Sequence, residues 1–296
     1  MEKTLDTKTL GWMPNEIPYL AQNLDNKDYH LSGAVSKSLL DQIHLSPWHY
    51  EMARQGVIEK HTNALDMGSA VHLAVLQPHL FDRQVVCGPP DRRGKKWTEV
   101  LEANAGKIVL IEEDYNEVFS IRQSVADHPI AQTILEKSDK VEYSYFWHDP
   151  ITQIACKCRP DLTIWPGVIG EGGILVDLKV IAANNGSLER FQHYIEDYSY
   201  DMQAAFYLDG VSRTTQEIFA GFIFLVVEKE THLVSIFNLE AQHDYVTGGR
   251  MRYTKRLLDL RDYFNHPPAY LGYPAKIQEV PVRSWYKKQL EEGELS

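Results

Sequence analysis

Three cysteines in 296 residues are too few for a disulfide scaffold, and the odd count fits a reducing compartment. No stretch of about 18 apolar residues occurs, so no membrane-spanning helix and no membrane partner are expected. The opening "MEKTLDTKTLGWMPNEIPYL" lacks the basic start and apolar core of a secretory signal, and the cytoplasm is the expected location. Basic residues are outnumbered: 30 Lys and Arg against 41 Asp and Glu leave a net charge of −11. That excludes a broad basic surface for coating DNA, but not a basic groove inside an acidic exterior. Cys156 and Cys158, in "IACKCRPDL", have no second pair to complete a zinc site and read as buried strand thiols.

What is present fits a globular protein with a sizeable core: 44% of residues are apolar and 24% charged. Residues 1–28 are polar and poorly periodic, and read as an extended arm. "SKSLLDQIHLSPWHYEMARQG" starts a helix at a serine cap and breaks it at "SP" before a second helix. "ALDMGSAVHLAVLQP" is a short apolar helix closed by Pro78. Residues 88–99, "GPPDRRGKKWTE", read as a loop. Residues 112–137 have helical spacing with a break near Pro129. "VEYSYFWH", "IACKCRPDLTIW" and "GILVDLKV" then read as three strands, followed by helical segments, two further strands and a C-terminal helix interrupted near Gly248 and Gly249. This order predicts an α/β domain with a central mixed sheet flanked by helices and an N-terminal helical elaboration.

One strand carries an anomaly. "GGILVDLKV" places Asp177 and Lys179 two residues apart in an apolar run, hence on the same face of a sheet. A buried ion pair is one reading, although such pairs contribute little net stability. The other reading involves Asp161 in "CRPDLTIW". If that strand pairs with the Asp–Lys strand in a hairpin, two carboxylates converge and repel unless a cation lies between them. Oxygen donors select hard ions such as Mg²⁺ or Mn²⁺. Three further features carry residues suited to the same site. His72 follows Gly68 by four residues on a helix, Gln203 and Tyr207 are also four apart, and Glu142 heads an aromatic strand. Taken singly, each also reads as ordinary core or surface. Arg92, Arg93, Lys95 and Lys96 form the densest basic cluster, suited to DNA phosphates or to a solvated loop.

The series G-x-x-x-H, an acid after a strand, D-x-K and Q-x-x-x-Y, in that order, resembles the RecB-like branch of the PD-(D/E)xK nuclease superfamily. Within that branch it resembles the nuclease domains of RecE-type exonucleases over residues 29–265, with 266–296 as a C-terminal tail. The resemblance implies a restriction-endonuclease-like fold. It implies His72, Asp161, Asp177 and the carbonyl of Leu178 as metal ligands, and Lys179 as the group that positions the attacking water. Gln203 and Tyr207 would contact DNA or brace the site, with Glu142 as an additional acid. Mg²⁺ is the implied cofactor, with Mn²⁺ tolerated. The implied activity is 5′→3′ degradation of one strand of linear duplex DNA, leaving 3′ tails for recombination by single-strand annealing. DNA ends, a homo-oligomeric ring (a tetramer) and a RecT-type annealing protein are the implied partners. A non-catalytic or endonucleolytic DNA-binding member of the same fold is the alternative.

Overall fold

The computed structural model describes residues 13–57, 62–274 and 276–293. Strand β1 (Tyr19–Ala21) and helix α1 (Asn26–Leu31) precede α2 (Lys37–Leu45) and α3 (Pro47–Arg54). Then come α4 (Asn63–Leu76), α5 (Pro78–Gln84), β2 (Val85–Cys87), α6 (Gly94–Ala103), β3 (Ile108–Leu110), α7 (Glu112–Asp127) and α8 (Pro129–Lys137). The central part holds β4 (Lys140–Val141), β5 (Ser144–His148), β6 (Ala155–Cys158), β7 (Leu162–Ile164) and β8 (Gly173–Ile181). Helices α9 (Leu188–Asp197) and α10 (Tyr200–Thr215) lead to β9 (Phe219–Glu228), β10 (Val234–Glu240), α11 (Asp244–Asn265) and α12 (Ser284–Glu292). None of the described helices is long and apolar enough to cross a membrane.

Local chemistry accounts for the helix boundaries. The Ser36 and Ser46 hydroxyls accept from the backbone amides of Leu39 and His49, capping α2 and α3, and Pro47 occupies the first turn of α3. Pro78 and Pro129 likewise open new helices rather than merely closing old ones. Two local expectations fail. Residues 94–99 are helical, because "KKWTEVLEA" continues with amphipathic spacing once Gly94 has turned the chain. Helix α11 runs unbroken through Gly248 and Gly249. Gly249 is where α10 comes closest, since a Cβ there would stand 2.2 Å from the Asp201 carbonyl oxygen.

The central sheet is mixed, with order β10-β9-β8-β7-β4; β8 and β9 are parallel and the other neighbours antiparallel. Helices α9 and α10 make the crossover that a parallel pair requires. A second sheet has order β1-β5-β6. The expected strands "VEYSYFWH" and "IACKCRPDLTIW" are each split, and their halves belong to different sheets. Glu142 breaks the first with φ of 55°, and Pro160, which has no amide hydrogen for a ladder, lies in the break of the second. Cys156 and Cys158 are fully buried on β6.

Alternation along β8 divides the core. Leu175 and Ile181 pack with Phe191, Phe206, Phe224 and α11 on one face. Val176 and Leu178 pack with Val71, Ile121 and Ile134 from α4, α7 and α8 on the other. Asp177 and Lys179 therefore lie on the face that α9 and α10 cover.

Candidate active site

Register builds the site. β7 pairs with β8 from Ile164↔Ile174 to Leu162↔Val176, and there the ladder stops. The next residues in register would be Asp161 and Asp177. Beyond that point β8 keeps β9 on one side and loses β7 on the other. The Leu178 amide on that open side donates to Asp161 Oδ2 at 2.6 Å. A strand residue's N–H and C=O leave the chain on the same side, so the Leu178 carbonyl also faces the opening beside Asp161. The hairpin expected from the sequence is present, and it ends where the carboxylates begin.

Lys179 Nζ lies 2.6 Å from Asp177 Oδ2 and donates to Gln203 Oε1 at 3.1 Å. The Gln203 amide nitrogen in turn donates to Asp177 Oδ1. Both ends of the glutamine are thus used, which sets its orientation. Asp177 Oδ2 faces the Lys179 ammonium, so Lys179 and Gln203 between them engage both oxygens of this buried carboxylate. The Tyr200 ring lies 4.4 Å from Lys179 Nζ and adds a cation–π contact. Sequence spacing had not singled out Tyr200, although it precedes Gln203 by three residues on the same helix and so shares its face.

His72 reaches in from α4. Its Nδ1 lies 2.8 Å from the Gly68 carbonyl oxygen and its Nε2 3.0 Å from Asp161 Oδ2. Burial works against its protonation, but the Asp161 carboxylate and the Gly68 carbonyl win, raising its pKa to about 9. Asp161 feels burial in the opposite sense, yet His72 and the Leu178 amide hold it below the usual range. Asp177 is raised, because burial and repulsion from Asp161 outweigh the pull of Lys179. Lys179 is raised too, since Asp177 and neighbouring groups more than offset burial. Glu142, whose amide donates to the Asp161 carbonyl at 3.0 Å, is pushed to about 8 by burial and by the charge of Asp161. Tyr207 lies near enough that Asp177 and Asp161 reinforce the upward shift that burial imposes on it.

Direct contacts thus bring together His72, Asp161, Asp177, Leu178, Lys179 and Gln203, with the Glu142 backbone hydrogen-bonded to Asp161, while Tyr207 makes no direct contact with them. The basic cluster is not of one kind. Arg92 pairs with Asp114 at 2.8 Å, Lys95 faces Glu99 at 3.5 Å, and Arg93 and Lys96 are exposed. Among the described residues, no three His, Cys, Asp or Glu groups converge tightly enough to hold a metal ion. The donor set nevertheless fits a hard divalent cation: two adjoining carboxylates that repel and the Leu178 carbonyl, all oxygen donors. Closing that set requires the His72–Asp161 hydrogen bond to open.

An Asp, an Asp-x-Lys strand and a helical Gln thus meet at the end of the β7–β8 ladder. Residues 36–266 match the PDDEXK-like domain of unknown function (DUF3799), and the chain belongs to that family. A crystal structure of a "Putative exonuclease" from Eubacterium rectale is similar to it, with a TM-score of 0.58 and 15% identity over 89% of this chain and 97% of that one. At that identity the likeness shows the fold alone. The structure of SSO0001 matches 66% of this chain and 86% of its own at 14% identity, with a TM-score of 0.29, and carries no argument. No curated protein matches the sequence.

Proposed function

We propose that the protein is a Mg²⁺-dependent exonuclease of the RecE type, acting 5′→3′ on linear duplex DNA and leaving 3′ tails for single-strand annealing. The observation that carries the reading is the end of the β7–β8 ladder, where Asp161, Asp177, the Leu178 carbonyl and Lys179 face one opening. The "Putative exonuclease" likeness is consistent with it. Asp161, Asp177, the Leu178 carbonyl and His72 would hold Mg²⁺, or Mn²⁺ in its place. A bound cation there would supply water of lowered pKa and neutralise charge on the phosphate oxygens.

This chain's residues do the rest. Lys179, held by Gln203 and lying over Tyr200, presents an ammonium beside the reacting phosphate, where it orients water or stabilises developing charge. Gln203 fixes both Asp177 and Lys179. Tyr207 and Glu142 bound the site. Arg92, Arg93, Lys95 and Lys96 meet DNA phosphates, with Arg92 the least ready because it is half-buried and paired with Asp114. A ring of subunits around the duplex, a tetramer in RecE-type enzymes, would keep the enzyme on one strand and pass the tail to a RecT-type annealing protein.

The test is incubation with linear and with closed circular duplex in Mg²⁺, Mn²⁺ or chelator, using strands labelled at either end. Loss of linear duplex from 5′ ends, with circles intact, is expected. Cutting of circles would establish an endonuclease, and binding without cleavage a non-catalytic member of the fold.

A further inference from the structure

Beside the candidate active site stands an aromatic stack whose outer ring, Tyr198, has no part in the site described above. Tyr198 caps the C-terminus of α9, and its ring stacks on Tyr194 at 5.3 Å and on Tyr200 at 5.7 Å, with interplanar angles of 28° and 25°. Tyr194 and Tyr200 both also approach Phe191, at 6.3 and 6.1 Å. A Tyr198 ring clamped between those two would have to lie almost on top of Phe191. Tyr198 therefore lies across them as an outer layer. Tyr198 itself is 57% exposed.

The turn that presents this ring is built at a cost. Ser199, between Tyr198 and Tyr200, has φ of 52°, a left-handed conformation that a non-glycine residue adopts at a penalty. It brings rings two residues apart into a stack. Two cations brace it: Lys37 Nζ donates to the Tyr198 carbonyl at 2.7 Å, and Arg252 to the Ser199 hydroxyl at 3.2 Å. The stack leads straight to the chemistry, since its Tyr200 layer is the ring against Lys179. Flat, exposed aromatic rings next to a groove that takes a polynucleotide backbone are stacking sites for bases, whatever the base.

We infer that Tyr198 is a stacking platform for an unpaired nucleobase of the DNA strand whose backbone enters the Asp177–Lys179 site. The inference rests on the nuclease reading for its substrate class, but its test does not need cleavage. Single-stranded oligonucleotides carrying 2-aminopurine at successive positions from one end are bound to the protein in Ca²⁺, with their integrity checked on gels. Wild type and Tyr198→Phe quench the probe at one position. Tyr198→Leu, which keeps bulk without a π-face, loses that quenching and binds about 5- to 50-fold more weakly. An abasic nucleotide at that position weakens wild type by the same factor and leaves Tyr198→Leu unchanged. Equal binding and quenching by wild type and Tyr198→Leu overturns the platform, as does a protein that binds no single strand. If Tyr198→Leu loses quenching but wild type never cleaves in Mg²⁺, stacking stands and the nuclease reading falls. If wild type cleaves and Tyr198→Leu matches it in binding, the reverse holds.

Discussion

Two lysines on strands of different sheets, Lys157 buried and Lys179 half-buried, are held in opposite ways. Lys179 on β8 meets a carboxylate, an amide oxygen and a ring, and its pKa is raised. Lys157 on β6, only 2% exposed, meets no carboxylate. Its ammonium donates to the carbonyls of Tyr29, His30 and Ser32 and to the Ser32 hydroxyl at 2.8 Å, and lies 4.7 Å from the Tyr29 ring. Burial, followed by the charge of Arg159, lowers its pKa to about 7. Arg159 also lies against the Tyr29 ring, at 4.1 Å, and donates to the Leu24 carbonyl. Dipoles alone satisfy the geometry of Lys157 but do not offset its desolvation as a charge does. The first lysine belongs to a site whose charges are mutually dependent. The second is a clasp that fastens the N-terminal segment to the sheet.

The sharpest way to break the contrast is at Asp177. Asp177→Asn is expected to lower nuclease activity by about 10³-fold or more, because it removes an anionic metal ligand. It keeps a polar group for Lys179 and Gln203, so thermal melts in chelator are expected to show no loss of stability. Wild-type cleavage by Asp177→Asn would end the metal-site reading.

Lys179→Met is expected to cut turnover by about 10²- to 10³-fold while leaving Mn²⁺ binding in calorimetry largely intact, since the ammonium is not a ligand. If metal binding falls as far as in Asp177→Asn, Lys179 acts through the ligands rather than on the reacting groups.

Lys157→Met should do the converse. The stem is replaced, but several buried carbonyls lose a donor, at about 1–3 kcal/mol of folding stability by denaturant titration. Cleavage per folded molecule should not change. A loss of activity at full stability would make the clasp part of the site.

The two regions also carry opposite pH signatures. His72, raised from 6.5 to about 9, and Glu142, raised from 4.5 to about 8, bind more protons folded than unfolded. Through these groups the metal-free protein loses stability as pH rises from about 4.5 to about 9. Lys157, lowered from 10.5 to about 7, binds fewer protons folded, so its contribution is flat below about pH 7 and rises from there to about 10.5. Melting temperatures in chelator should show wild type falling toward pH 8. His72→Gln and Glu142→Gln should flatten the fall, and Lys157→Met should steepen it at alkaline pH.

The smallest expected effect is at the basic cluster. Replacing Arg92, Arg93, Lys95 and Lys96 by glutamine should weaken DNA binding and lower the salt slope by two or so, because Arg92 and Lys95 already have acidic neighbours. An unchanged slope in binding titrations would leave the cluster a solvated surface.

Much of the site was legible in the chain because its geometry is periodic. A two-residue strand period places Asp177 and Lys179 on one face, and a four-residue helix step places His72 over the Gly68 carbonyl. Serine caps and prolines marked the helix ends for the same local reason. The amphipathic start of α6 was masked by the Gly/Pro-rich run before it. The unbroken course of α11 was hidden because two glycines read as a stop until a neighbouring helix explains one of them.

Sequence by itself therefore determined the mixed sheet, its two apolar faces and the pair of charges on β8, since these follow from residue type and short-range spacing. Tertiary structure alone decided the rest. Two expected strands each divide between two sheets, and the β7–β8 ladder stops one residue short of the carboxylates. Tyr200 comes to lie against Lys179, and Lys157 finds carbonyls more than a hundred residues away in the chain. Each of these depends on which backbone groups are left without partners when distant segments meet, and no local pattern records that.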